Sequence, residues 1–213
     1  MDIDQIVKLH GGYWRYDVLD FHYLTNYYFP TKALFAKLQK ELPILCHHYP
    51  SSQKVLAKLL SKWEDKDYFN EDNLVVANGS SELIRFMNLI MNKVTVPIPT
   101  FNEWVRLPPN KINFFYPDEK NKFNIDIGKL IESINKSKSE YIVINNPNNP
   151  VGNILARSEI KKLLDTGVKV IVDEAFIDFS KENSAQDMVQ DYDNLIIVTT
   201  CTKTMGLSGL RLG

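Results

Sequence analysis

Three stretches of the chain are apolar at nearly every position rather than at every second one: YIVI (141–144), VKVIV (168–172) and LIIVTT (195–200). A strand with one wet face alternates, whereas a strand buried on both faces does not, and the usual home of the latter is a parallel sheet covered by helices. LVVA (74–77), VTVPI (94–98) and INFFY (112–116) read as further strands of this kind. Helical patterns lie between them. SSQKVLAKLLSKW places Val55, Leu56, Leu59, Leu60 and Trp63 on one face, with Ser51 or Ser52 able to cap the first turn. ELIRFMNLIMNK (82–93) reads as a largely buried helix. DIGKLIESI (126–134) carries Asp126 as N-cap and sets Ile127, Leu130, Ile131 and Ile134 on one face, and RSEIKKLLDTG (157–167) supplies another helix. Alternating strands and helices give the α/β class: an open, mostly parallel sheet with helices on both faces. Residues 1–30, aromatic and without clean periodicity, read as an N-terminal arm, and residues 31–213 as one large domain.

Bulk properties exclude several functions. With 213 residues, 44% hydrophobic and 24% charged, the chain can bury a sizeable core. A net charge of −1 gives no field to attract nucleic acid or an anionic membrane. No apolar run approaches the roughly 18 residues of a membrane span, and MDIDQIVKLHGG lacks the pattern of a signal peptide. Two cysteines, Cys46 and Cys201, fit a reducing cytoplasm, which is the expected location. His10, His22, His47 and His48 have no metal-ligand spacing. There is no G-x-x-x-x-G-K-[ST] loop and no G-x-G-x-x-G to bind a nucleotide.

Chemistry concentrates after four of the strands: NGSS (78–81), NNPNNPVG (145–152), DEAF (173–176) and CTKTMGLSGLRLG (201–213). In open parallel sheets ligands sit at the carboxyl ends of the strands, so all four clusters should meet at one edge. Taken singly, NGSS is a helix cap, NNPNNPVG is a turn, and Lys203 and Arg211 are surface cations. Together they solve one problem, the binding of a phosphorylated pyridine aldehyde. Lys203 offers an amine for a Schiff base. Asp173, directly after the apolar run Val170–Val172 and so desolvated, can keep a pyridine nitrogen protonated. Asn149 can donate to the phenolate oxygen. Arg211 and the helix N-terminus at Gly79, Ser80 and Ser81 can cradle the phosphate.

These motifs resemble the fold-type I pyridoxal phosphate-dependent aminotransferases, in particular the group of histidinol-phosphate aminotransferase and threonine-phosphate decarboxylase. NNPNNPVG is similar to the family's asparagine-proline-threonine-glycine loop, with Val151 for threonine. DEAF is similar to its aspartate-glutamate-alanine-tyrosine segment, and TKTMGLSGLRLG to its lysine segment. The resemblance implies pyridoxal 5′-phosphate as cofactor, small-molecule amino and keto acid substrates, and a homodimer. It further implies that Trp104 stacks on the pyridine ring, that Tyr49 reaches the phosphate of a partner subunit, that Thr200 and Thr202 lie near the phosphate and the lysine, and that Asn26 lies near the substrate. Phe176 stands where a tyrosine often donates to the phenolate oxygen.

The reaction implied is transfer of an amino group from an amino acid or a phosphorylated amine to a keto acid. A decarboxylase of phosphorylated amino acids using the same cofactor is the alternative, and an inactive cofactor-binding fragment or assembly partner is the rival from another class. Family members are longer, so the sequence reads as an incomplete large domain without the small C-terminal domain. An antiparallel strand is expected between LVVA and LIIVTT just after the lysine motif, and ending at Gly213 implies a gap there.

Overall fold

The computed structural model describes Gln5, residues 12–21 and residues 23–213. The remainder of the expected arm, including His10 and His22, lies outside the described residues. Five strands form one parallel sheet: β1 (Val94–Pro97), β2 (Ile112–Phe115), β3 (Tyr141–Asn145), β4 (Lys169–Asp173) and β5 (Leu195–Val198), in the order β2-β1-β3-β4-β5. The register of β3 on β4 runs from Tyr141 opposite Lys169 to Asn145 opposite Asp173, and Asp173 in turn lies opposite Val198 of β5. Two of the polar clusters therefore begin side by side at one sheet edge.

Continuous apolarity has the expected consequence: both faces of the sheet are covered. Ile142, Ile144, Val170 and Val172 pack on one face against Leu130 and Ile134 of α4 (Ile127–Ser137) and Ile160 and Leu163 of α5 (Arg157–Leu164). Val94, Val96, Val143 and Ile171 pack on the other against Ile84 and Met87 of α3 (Ser80–Ile90), with Trp104. Each such side chain contributes roughly 1.5–3 kcal/mol of burial, so the sheet is a rigid platform for its carboxyl edge. Asp126 caps α4 as expected, its carboxylate accepting from the Lys129 amide at 3.1 Å.

Several expectations are corrected. Leu74–Ala77 is extended but is not a ladder strand: Val75 is 63% exposed, Ala77 pairs with the Gly213 backbone, the adjoining Asn78 forms an antiparallel bridge with Leu212, and Gln53 Nε2 donates to the Val76 carbonyl at 2.8 Å. Two or three apolar residues cannot make a strand where a ladder partner is nearly absent. The expected gap remains along β5, which pairs only with β4 among the described residues, and Leu212 and Gly213 bridge it at one end alone, where the Cys201 amide donates to the Leu212 carbonyl. α3 is buried on one side only, with Phe86, Leu89 and Ile90 exposed. In α2 (Gln53–Glu64) only Ala57 is buried; Val55, Leu59 and Trp63 face outward, and Ser52 at the N-cap makes no side-chain bond.

The sequence reading also passed over α1 (Lys32–His47). Thr31 caps it by accepting from Leu34, Pro43 interrupts its interior, and no residue in it is buried. Its apolar positions therefore lack the core contacts that make a helical stripe conspicuous. His47 is the last residue of this helix.

Candidate active site

Asp173 is the last residue of β4 and is 2% exposed. Its Oδ2 accepts from Trp104 Nε1 at 2.7 Å and its Oδ1 from the Ala175 amide at 3.1 Å. Burial raises its pKa above the ordinary carboxylate value; the Trp104, Ala175 and Asn145 hydrogen bonds and the Lys203 charge pull the other way.

Lys203 lies in the loop after β5 and is half-buried. Burial lowers the pKa of its amine, Arg211 lowers it further, and Asp173 raises it. Its Nζ lies 5.5 Å from the centroid of the Phe176 ring. The lysine loop turns at Gly206, whose φ is +56° and whose position allows no side chain, because the carbonyl oxygens of Asn26 and Phe29 press against it. Asn26 closes this contact: its Nδ2 donates to the Thr204 carbonyl at 2.6 Å, and the Thr204 hydroxyl donates to Asp178. The arm thus docks on the lysine loop.

Arg211 reaches back to the N-terminus of α3. Gly79, the N-cap, is buried at φ +77°, and a Cβ there would meet Arg211 Nη2 at 2.6 Å. The guanidinium also donates to the Ser208 carbonyl at 3.1 Å. Ser80 and Ser81 form the first turn of the helix, whose opening amides have no intrahelical acceptor. Thr200 Oγ1 lies 3.1 Å from Thr202 Oγ1 and 3.0 Å from the Leu212 carbonyl, so this buried pair clasps the segment that carries Arg211.

An amine with a lowered pKa, a buried carboxylate and a guanidinium at a helix N-terminus therefore converge from residues 79 to 211. That donor set suits an aldehyde, a ring nitrogen and a phosphate. Asn149 is half-buried in the turn after β3. Tyr49 is 100% exposed and takes no part in this chain's own cluster. Trp104 is fully buried, and the edge of its indole is turned to Asp173. A buried indole N–H needs an acceptor, and the buried carboxylate supplies one. A cavity of about 240 Å³ bounded by Pro97, Asn145, Asn148 and Leu155 lies beside the cluster and contains neither Lys203 nor Arg211.

Two supporting residues were not singled out from sequence. Asn145 Oδ1 accepts from the Phe101 amide at 3.0 Å and the Thr100 hydroxyl at 3.1 Å, holding the segment that carries Trp104. Glu174, 1% exposed, accepts from the Ala185 amide at 2.7 Å, Gln186 Nε2 at 2.9 Å and Ser184 Oγ at 3.0 Å. Their only sequence signal is a place inside motifs already noticed, the first Asn of NNPNNPVG and the second acid of DEAF.

Residues 42–213 match the family model of aminotransferase class I and II. The chain belongs to that family. Among curated class I and II relatives, histidinol-phosphate aminotransferase of Clostridium kluyveri is 36% identical over 152 residues, covering 68% of this chain and 42% of that protein. Among solved structures, histidinol-phosphate aminotransferase from Clostridium acetobutylicum superposes with a TM-score of 0.80 at 24% identity, covering 92% of this chain and 59% of that one. A decarboxylase from Sulfurospirillum multivorans superposes with a TM-score of 0.72 at 28% identity, covering 90% of this chain and 52% of that one. The chain spans 33% to 49% of the length of curated relatives such as these. No helix among the described residues is long and apolar enough to cross a membrane.

Proposed function

We propose that the protein is an aminotransferase, or the large-domain part of one, working on small amino and keto acids with Lys203 as its catalytic amine. The observation that carries this reading is the convergence of Lys203 and Arg211, from the segment after β5, with Asp173 at the end of β4 and Gly79 at the N-terminus of α3, in a chain of the class I and II family. The cofactor of that family is pyridoxal 5′-phosphate, which supplies an electron-withdrawing ring that stabilises negative charge at the substrate's alpha carbon.

The chain's own residues have separable tasks. Lys203, with its pKa lowered by burial and by Arg211, has more of its amine in the neutral form than a surface lysine. It would hold the cofactor at its aldehyde carbon with loss of water and, once displaced by the amino substrate, would be free as an amine to move a proton from the substrate's alpha carbon. Asp173 pairs with the ring nitrogen and keeps its proton in place. Arg211 and the amides of Ser80 and Ser81 hold the phosphate, and Asn149 the phenolate oxygen. Phe176 puts an apolar ring beside the amine, which helps to exclude water.

A decarboxylase of a phosphorylated amino acid is the second reading, supported by the likeness to the Sulfurospirillum multivorans protein. Residues 31–213 would then be the cofactor-binding domain in either case, and the cytoplasm the place of action. A homodimer, with Tyr49 reaching the partner's phosphate site, belongs to the same proposal, supported by the complete exposure of that side chain.

The test is optical. Purified protein mixed with pyridoxal 5′-phosphate should gain a visible absorbance band that Lys203→Ala abolishes. A colourless mixture with wild-type protein would overturn the reading. Release of carbon dioxide without a keto acid would favour the decarboxylase.

A further inference from the structure

Two carboxylates of the lysine-site edge, Asp173 and Glu174, are buried, and they are held differently. Glu174 is fixed by three donors from one short segment, residues 184–186. Asp173 draws one of its donors, the Trp104 indole, from 69 residues away, across the sheet edge. That donor is itself held on several sides. The 3-10 helix Asn102–Val105 carries Trp104. Asn145, opposite Asp173 in the β3–β4 register, fixes the approach to that helix through Thr100 and Phe101. Behind Trp104, Arg106 pairs with Glu103 at 2.9 Å, and Asn88 donates to the Glu103 carbonyl at 2.7 Å.

We propose that Trp104 is a positioning residue: its indole N–H holds Oδ2 of Asp173 and so fixes the carboxylate that meets the ring nitrogen of the cofactor. The proposal rests on the function proposed above and deepens it. A carboxylate oxygen has two lone-pair directions, so the indole can occupy one of them and leave the other to a ring N–H. The Ala175 amide already engages Oδ1, so the two bonds together stop the carboxylate from rotating. The contact also favours the charged form of a group that burial would otherwise neutralise, and only a charged Asp173 holds the ring proton. Other aromatic residues would fill the same space. Phenylalanine would leave Oδ2 without its donor.

The test separates the donor from the packing. The full-length protein and its Trp104→Phe variant are titrated with pyridoxal 5′-phosphate and with the carbocyclic analogue in which carbon replaces the ring nitrogen. Dissociation constants are read from absorbance or fluorescence quenching. Trp104→Phe should weaken pyridoxal 5′-phosphate binding about tenfold, the scale of one charge-assisted hydrogen bond. It should leave the carbocyclic analogue within about twofold of wild type. Equal weakening of both, or of neither, would overturn the proposal. Where circular dichroism shows that Trp104→Phe does not fold, benzothienylalanine at position 104, which has sulfur in place of the N–H, carries the same two expectations. Wild-type protein that binds neither compound would overturn the proposed function itself. Wild-type protein that binds both equally would remove the pairing of Asp173 with the ring nitrogen, and the proposal with it.

Discussion

The guanidinium of Arg211 lies so close to Gly79 that a methyl group on that glycine would meet Nη2 at 2.6 Å. The contact joins the last turn of the lysine segment to the N-terminus of α3, two anion-attracting features separated by more than a hundred residues of chain. Gly79 is required twice over, for space and for a backbone at φ +77° and ψ 163° that other residues scarcely adopt. Gly79→Ala should therefore cost roughly 1–3 kcal/mol of stability and displace Arg211. Urea unfolding measures the first effect. The second should appear as a larger loss of affinity for pyridoxal 5′-phosphate than for pyridoxal, which has no phosphate. Equal losses for the two would separate Arg211 from phosphate binding.

Lys203 gives a pH prediction with a definite sign. Its pKa in the folded protein lies below the ordinary 10.5, mainly through burial and then through Arg211. Between the two values the unfolded chain holds more protons, so stability rises with pH across that window. Replacing the lysine with methionine removes the penalty of burying the charge. Lys203→Met should be more stable than wild type at pH 7, and the difference should shrink as pH rises toward 10.5. Urea midpoints at several pH values test this, and a constant difference would contradict it.

Asp173 gives the mirror case. Burial raises its pKa above 3.8. The stability associated with its protonated form is complete below that value and is lost as pH rises through the folded pKa. Asp173→Asn keeps the shape and can still accept from Trp104, yet carries no charge. It should be more stable than wild type at pH 7 and equal to it below pH 3.8. It should also bind pyridoxal 5′-phosphate at least about tenfold more weakly. Gain of stability with loss of binding is the pattern of a residue kept for chemistry.

The parts of this protein that were legible in the sequence are those where burial and chemistry coincide. Val170, Ile171 and Val172 announce a strand buried on both faces, and Asp173 directly after them announces a site. Leu74–Ala77 looked the same in composition, but a strand is made by its ladder partners, and the backbone pairing here is limited to Gly213 and, through Asn78, Leu212. α1 escaped notice because no residue in it is buried. Trp104 was recognised as belonging to the site, yet its geometry was not, since whether an indole offers its face or its edge depends on an acceptor 69 residues away. The side chains of Asn145 and Glu174 each accept from a backbone amide, a partner that any residue could supply and that leaves no trace in the sequence.

Glu174 should be more important to stability than its neighbour. Its carboxylate is the shared acceptor for the Ala185 amide, Ser184 Oγ and Gln186 Nε2, and it fixes a segment that Arg157 also grips through Asp187 at 2.6 and 2.8 Å. Glu174→Ala would leave those donors without an acceptor and open space in a dry region. A loss of about 2–4 kcal/mol in urea unfolding is expected, with faster hydrogen exchange across residues 184–186. Unaltered exchange there would mean that the Arg157–Asp187 pair alone orders the segment.

Asn26 links the arm to the catalytic loop through one amide, with Nδ2 on the Thr204 carbonyl at 2.6 Å and Oδ1 on the Tyr28 amide at 3.0 Å. Resemblance implies a place near the substrate for this residue, and its bonds tie it to the backbone next to Lys203. Asn26→Ala removes both bonds and should cost about 1 kcal/mol or slightly more. The local consequence should exceed the global one, because Gly206 packs directly on the carbonyls of Asn26 and Phe29, with only its amide bond to the Lys203 carbonyl beside them among the described backbone bonds. Limited proteolysis should therefore cut faster at two places, within residues 23–30 and near residues 203–206, while the urea midpoint moves little. Faster cutting in the arm alone would show that the lysine loop holds its shape without it.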